Sequence, residues 1–229
     1  MRLYKTGHPI ADTISDIIGE LPDDDYAIAY GILRGSAEYL RDHRHWFEID
    51  RGFYGASHYD GMYRLSYRGT QPIYDDEFSI PGNHSIGLSD WRNTDGYILI
   101  CPPTTYVSDF FSIDLSAWLF KAISQAGPYY KIRYKGDQSP IQWDEIGKLI
   151  TFNSTLGYEA LIRGIPVISD PDHSTIGSYT KFINSIDNYN RQPIIDFIAN
   201  HQFKLHEKDK IWNLIKYYKC SADGIAEKP

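Results

Sequence analysis

Residues 149–170 read LITFNSTLGYEALIRGIPVISD, and this stretch decides the fold. It opens with a short apolar run, Leu149, Ile150, Thr151 and Phe152, followed by the polar tripeptide Asn153-Ser154-Thr155. A short helical stretch then ends in Arg163 and Gly164, and a second strand-like run covers residues 165–168. Strand, turn, helix, strand is the grammar of a Rossmann-like unit. Gly164 stands where a left-handed C-cap is wanted, and Pro166 follows where a helix cannot continue. Asn153, Ser154 or Thr155 can cap the start.

A helix start at the carboxyl edge of a parallel sheet presents unpaired N–H groups and the positive end of the helix dipole. Neighbouring hydroxyls add donors, so a phosphate is well received there. Glu159, about one turn further in, is placed to accept from the two hydroxyls of a ribose. Phosphate donors beside a ribose acceptor describe a nucleotide pocket. An ordinary capped helix that binds nothing produces the same string.

Asn153-Ser154-Thr155, then Gly157, Glu159-Ala160-Leu161, Gly164 and Pro166-Val167, resembles the nucleotide-sugar motif in the C-terminal domain of GT-B glycosyltransferases. The similarity is to the capsule polysaccharide proteins, which include 3-deoxy-manno-octulosonic acid (Kdo) transferases, and to related sequences in phage genomes. In those families a hydroxyl pair at the helix start holds donor phosphate.

The chain has 229 residues, 42% of them hydrophobic, enough for one large core or two small ones. GT-B enzymes carry two Rossmann-like lobes and are usually longer, so the resemblance implies a compact version. A net charge of -7 argues against wholesale wrapping of nucleic acid, while a local basic groove remains compatible with it. Cys101 and Cys220 are too few and too far apart for a zinc site or a disulfide framework, which points to a reducing compartment. The start, MRLYKTGHPI, lacks the apolar core of a signal peptide, and no apolar run reaches membrane-spanning length. The expectation is a soluble cytoplasmic protein. Nineteen tyrosines and five tryptophans suit stacking on sugars or bases, but core filling accounts for most of them.

In the N-terminal half, a helix is expected over residues 10–18, a solvated turn at Asp23-Asp24-Asp25, and a strand over residues 26–32. That strand runs into Gly31, Arg34 and Gly35 before a helix over residues 36–43. Glycines at a strand-to-helix turn let a ligand approach the backbone. Residues 45–50 (HWFEID) alternate like a half-buried strand ending in Asp50-Arg51-Gly52-Phe53, so a second Rossmann-like half is predicted.

The stretch Asp50 to Tyr54, continuing to Tyr63-Arg64-Leu65-Ser66, is also similar to the capsule family, where an acidic residue, glycine and phenylalanine follow the corresponding strand. A carboxylate at the carboxyl end of an N-lobe strand faces the interlobe cleft of such enzymes, where an acceptor hydroxyl must lose its proton. Asp50 is therefore the candidate base, with a turn cap or a pair with Arg51 as the plainer reading. His58 and Asp60 are the reserves. Arg51, Arg64 and Arg68 recur among Tyr54, Tyr59, Tyr63 and Tyr67, either to hold an anionic acceptor, a DNA strand included, or as a tyrosine-rich strand pair with a charged outer face.

Residues 71–95 shift to Pro, Gly, Asn, Ser and Asp and are read as a linker. The expected lobes are residues 1–90 and 91–229. Residues 97–101 (YILIC) form a fully apolar strand suited to the centre of a parallel sheet. Thr104 and Thr105 then fall in the first βα loop of the second lobe, where GT-B enzymes contact donor phosphate. A helix begins at Ser112 with Leu115, Trp118, Leu119, Ala122 and Ile123 on one side.

Residues 129–135 (YYKIRYK) read as the next strand, with Arg133 and Lys135 on one face. Transferases using CMP-activated sugars often carry histidine and proline after it, whereas this chain has Gly136-Asp137; Arg133 or Lys135 would then neutralise phosphate directly. Asp170-Pro171-Asp172 also matches the metal-binding signature of the GT-A glycosyltransferase fold, and is read here as a loop near the donor. A helix opened by Arg191-Gln192-Pro193, the run His201-Gln202-Phe203 and a final helix over residues 208–219 extend the capsule-type resemblance to the end of the globular chain.

The expectation is an α/β, compact GT-B-like chain with two Rossmann-like lobes whose parallel sheets face a cleft. As the resemblance implies, it moves a sugar from a nucleotide-activated donor to a hydroxyl of a glycan or a hydroxymethylated phage DNA base, without metal or cofactor. Asn153, Ser154 and Thr155, with Thr104, Thr105, Gly31 and Gly35, belong to donor binding. Glu159 takes the ribose, Arg133 and Lys135 the leaving charge, and Arg51, Arg64 and Arg68 the acceptor. A sugar-nucleotide epimerase and a non-catalytic nucleotide or sugar-phosphate binding protein are the alternatives.

Overall fold

The computed structural model describes residues 2–4, 7, 9–18, 26–33, 35–53, 61–76, 86–92, 95–185 and 188–222. In chain order these form β1 (Arg2–Tyr4), α1 (Pro9–Ile18), β2 (Tyr26–Tyr30), α2 (Ser36–Arg41), β3 (His45–Arg51) and β4 (Tyr63–Tyr67). Next come β5 (Tyr97–Cys101), α3 (Thr105–Phe110), α4 (Leu115–Ala126), β6 (Tyr130–Ile132), β7 (Ile146–Thr151), α5 (Leu156–Ile162) and β8 (Val167–Ile168). The chain closes with α6 (Thr175–Phe182), α7 (Gln192–Asn200), β9 (Gln202–Phe203) and α8 (Lys208–Ala222). None of the described helices is long and apolar enough to cross a membrane.

The chain divides into two units, Met1–Pro72 with Asn200–Pro229, and Ile73–Ala199. In the first, the strand order is β1-β2-β3-β4-β9. Ala27, Ile28, Ala29, Phe47, Ile49 and Leu65 are fully buried in this sheet. α1 and α2 are the helices of the two crossovers that join these neighbouring parallel strands, β1 to β2 and β2 to β3. The tyrosine-rich end of α8 serves the face bearing Phe47 and Tyr67, where Tyr218 lies 6.2 and 5.7 Å from their rings. Ile211, Leu214 and Ile215 are the buried stripe of that helix.

The expectation of a parallel first sheet is corrected here. β1, β2 and β3 are parallel, but β4 pairs antiparallel with β3 and β9 antiparallel with β4. Residues 52–62 are too few for the helical crossover that a parallel return requires, roughly a dozen residues or more, so the chain doubles back. β3 and β4 thus form an antiparallel pair carrying Tyr63 and Tyr67, and Arg64 within it is buried.

The second unit holds an all-parallel sheet in the order β6-β5-β7-β8. Chain order reverses between β5 and β7, and helices cover both faces. α4 packs Trp118, Leu119, Ala122 and Ile123 around Ile100 and Ile150. On the opposite face α5 comes close enough that a Cβ on Gly157 would lie 3.5 Å from Val167 and 3.7 Å from Thr151. Those are ordinary contact distances; the tight neighbour is the Ile176 Cδ1 at 2.9 Å, the movable end of a side chain on α6.

The linker composition of residues 71–95 hides an ordered part. Ser89 N donates to Ile162 O at 2.9 Å and Arg92 N to Gly164 O at 2.7 Å, which clips residues 86–92 onto the end of α5. Arg191 completes the clip, donating to the carbonyls of Leu161 and Ser89 and lying 4.2 Å above the Trp91 ring. Gly164 has φ +75°, as its C-cap position predicts, and a side chain there would collide with the Asp90 carbonyl.

Candidate functional site

In a doubly wound sheet the loops at the carboxyl ends of the two strands flanking the reversal diverge to opposite faces and leave a crevice. Here those strands are β5 and β7. Their ends are tied together, because Thr151 Oγ1 donates to Cys101 O at 2.9 Å. The same oxygen accepts from Ser154 N at 3.0 Å, and Ser154 Oγ accepts from Leu156 N at 3.3 Å. Ser154 and Thr151 therefore organise the turn into α5, while Thr155 makes no cap bond and its side chain is exposed. Asn153 is half-buried beside them.

Across the reversal, Thr104 caps α3, a helix that the sequence reading treated as loop. Thr104 Oγ1 accepts from Val107 N at 3.3 Å, and Thr105 is exposed in the first turn. A hydroxyl used as a cap acceptor still has its O–H to donate. Thr104 and Ser154 can thus cap and bind an anion at once.

Glu159 is exposed on α5, and its carboxylate makes no hydrogen bond or ion pair among the described residues. Lys135 is likewise exposed. The strand expected over residues 129–135 is corrected to Tyr130–Ile132, so Arg133 and Lys135 are not alternate residues of one strand face. Arg133 is occupied by the turn that follows, donating to Asp137 O at 2.7 Å, Ser139 O at 2.9 Å and Ser139 Oγ at 3.1 Å. Hydrogen bonds from Ser139, with Arg133 nearby, hold the Asp137 carboxyl below its usual range. Burial pushes the Cys101 thiol up to about 12, against a smaller opposing pull from the Arg133 charge.

One group at this edge of the sheet escaped the sequence reading. His173 Nδ1 lies 2.7 Å from Asp170 Oδ1, and the ring stands 4.5 Å from Phe111 and 5.1 Å from Phe152. The loop carrying the pair is pinned by Ser169 Oγ and Asp170 N, which donate to Phe152 O at 2.8 and 3.1 Å. Burial raises the Asp170 carboxyl, but hydrogen bonds from His173 and the Asp172 amide outweigh it, and the net position is below the usual range. The signal was an Asp and a His three residues apart, directly after an apolar strand. Asp172 pairs instead with Lys181 at 3.0 Å, so the two carboxylates of Asp170-Pro171-Asp172 have separate partners. Among the described residues no three His, Cys, Asp or Glu side chains group as metal ligands would.

In the first unit, Asp50 is the second-last residue of β3 and lies directly opposite Arg64 on β4. Asp50 Oδ2 accepts from Arg64 Nη2 at 2.9 Å and Oδ1 from Arg51 N at 2.8 Å, with 39% of the Asp50 side chain exposed. Arg64 also donates to Thr70 O from Nε at 3.1 Å and from Nη2 at 2.8 Å, and to Arg51 O, and it lies over the Phe53 ring. It is a buried internal connector, whereas Arg51 and Arg68 are exposed. Burial first, then the Asp50 charge, raises the Tyr30 hydroxyl above its ordinary value despite a hydrogen bond with Arg51.

Gly31 and Gly35 both have positive φ, +66° and +83°. The space a Cβ would take at Gly35 is met by the Tyr4 hydroxyl at 2.6 Å, while at Gly31 nothing lies within 4 Å. Gly31 is the open position of the two. His58 and Asp60 lie outside the described residues.

No protein-family model matches the chain, and no curated protein matches it. Among solved structures it is similar to Thermosulfurimonas dismutans KpsC, beta Kdo 2,7 transferase, with a TM-score of 0.43 and 14% identity over 90% of each chain.

Proposed function

We propose that the protein is a glycosyltransferase that takes a sugar from a nucleotide-activated donor and places it on a hydroxyl. One observation carries this reading: at the single chain reversal of an all-parallel sheet, the Thr104, Thr105, Ser154 and Thr155 hydroxyls stand at the two diverging loops, with the unengaged Glu159 carboxylate on the adjoining helix. Hydroxyls and backbone amides suit phosphate, and a carboxylate suits the paired hydroxyls of ribose. Asn153, Ser154, Thr155, Thr104 and Thr105 hold the donor phosphates, Glu159 holds the ribose, and Lys135 adds a positive charge. Arg133 acts by shaping the residue 137–139 turn as well as by its charge.

In the transfer step the acceptor oxygen attacks the anomeric carbon while the bond from that carbon to the phosphate oxygen breaks, its electron pair leaving with the phosphate. The acceptor proton goes to Asp50, with His58 and Asp60, a few residues further on in the sequence, as alternatives. Arg64 fixes the Asp50 carboxylate, and catalysis otherwise rests on positioning and on donors aimed at the leaving charge. No metal takes part in this scheme, so activity is expected to survive EDTA. Arg51 and Arg68 are the exposed charges that suit an anionic glycan acceptor; a DNA acceptor would show itself by binding that falls steeply with salt.

A second reading is binding without turnover. It is favoured by Asp50, both of whose oxygens already accept hydrogen bonds.

The test is a thermal-shift panel of CMP, UDP, GDP and ADP sugars on the wild-type protein, Ser154→Ala and Glu159→Ala. A true donor stabilises by about 2.7 kcal/mol at a hundredfold excess over its Kd, and less in both variants. If no nucleotide sugar shifts the transition, the proposal is wrong. Transfer to glycan or DNA acceptors, measured with the donor so found, separates the enzyme from the binding protein. Conversion of the donor without an acceptor would identify an epimerase instead.

A further inference from the structure

His173 takes no part in the scheme above, yet its surroundings are built to present one nitrogen. Asp170 Oδ1 at 2.7 Å receives the Nδ1 side of the ring, which places a proton on Nδ1 and turns Nε2 outward. Phe111 meets the ring edge-to-face and Phe152 lies tilted against it, so the imidazole has little freedom to rotate, and 32% of the side chain is exposed.

The position of those two phenyl rings matters. Phe111 follows α3, the helix that Thr104 starts, and Phe152 immediately precedes Asn153-Ser154-Thr155. The imidazole therefore lies between the turn that ends α3 and the residue that leads from β7 into the Asn153-Ser154-Thr155 turn. Of the charged groups around this loop, Asp170 faces the ring, while Asp172 and Lys181 pair with each other at 3.0 Å. Apolar walls lower the local dielectric and strengthen any charge held there.

We propose that His173 Nε2 is a hydrogen-bond donor to the phosphate of a bound nucleotide, with the imidazolium bridging the Asp170 carboxylate and a phosphate oxygen. This rests on the donor-binding reading of the same crevice. When the bond from sugar to phosphate breaks, its electron pair stays on the phosphate oxygen, and the Nε2–H bond offsets the charge without the proton having to move. Asp170 is a positioning residue: it holds the tautomer and the ring.

The experiment is imidazole ¹⁵N NMR on the full chain, with His173 assigned through the bonds of its own side chain, titrated with CMP, UDP and the phosphate-free nucleosides cytidine and uridine. The expected result is an Nδ1–H tautomer in the free protein and an Nε2 resonance that moves to the protonated range with the nucleotide but not with the nucleoside. His173→Gln is expected to weaken nucleotide binding about ten- to a hundredfold and nucleoside binding little. If a nucleotide binds while Nε2 does not respond, this inference is overturned and the donor-binding reading stands. If no nucleotide binds at all, both fall. Should His173→Gln fail to fold, the wild-type Nε2 response alone decides.

Discussion

Asp50 and Arg64 face each other across the antiparallel β3–β4 ladder and are joined by an ion pair of 2.9 Å, the Arg64 side chain almost fully buried and that of Asp50 partly open. The two sides of the pair therefore have different jobs. Arg64 ties together Asp50, the Arg51 carbonyl and the Thr70 carbonyl, while Asp50 keeps an exposed side.

Arg64→Ala is expected to lower stability by about 2–4 kcal/mol, because it strands two carbonyls and a carboxylate at once. Asp50→Asn removes the charge and turns one of the two accepting oxygens into a donor, and should cost about 1–2 kcal/mol, less than Arg64→Ala, while reducing turnover by about 10²–10⁴-fold. Urea denaturation of both variants beside a transfer assay checks the division. Equal losses of stability would deny it.

Arg191 predicts a similar experiment in the second unit. Its guanidinium serves two carbonyls and the Trp91 face, so Arg191→Lys should fail to rescue Arg191→Ala, each losing about 2–3 kcal/mol in denaturant melts. A lysine variant as stable as wild type would mean the fork geometry is irrelevant.

The Asp170 carboxyl sits below its ordinary value in the folded chain, so it binds its proton less readily there than when unfolded. Its contribution to stability is complete above the unfolded value of about 3.9 and is lost as pH falls through the lower folded value. The stability gap between wild type and Asp170→Asn, followed by denaturation from pH 6 to pH 2, should be flat at first and then close. A gap that widens on acidification would reverse the sign and refute the assignment.

Cys101, with its thiol pushed up to about 12, remains uncharged at pH 8. Because the thiolate is the nucleophile, iodoacetamide should leave Cys101 unmodified in the native protein and alkylate it after unfolding in urea, as read by peptide mass spectrometry. Native alkylation would show that the end of β5 opens readily.

These residues also mark what could be read before the fold was known. The runs over residues 97–101 and 149–152 declare themselves because a central parallel strand is apolar on both faces, and Gly164 with Pro166 stops a helix by backbone chemistry alone. Local rules do not extend to edges. The end of β6 is invisible in YYKIRYK, whose alternation continues past Ile132 although the ladder does not. The two-residue β9 has no pattern at all. The Asp50–Arg64 contact spans a reversal whose direction depends on how much chain is available to turn, and α3 hides because its six residues are too few to show a helical period. His173 was legible only as a neighbour of Asp170, and its aromatic setting comes from two distant loops.

The first unit includes β9 and α8, which follow the second unit in the chain, whereas the second unit is one uninterrupted run. The first unit therefore cannot be completed until the whole second unit and residues 202–203 after it have been made. A released chain truncated after residue 199 should be protease-resistant in its middle and still vulnerable at its beginning.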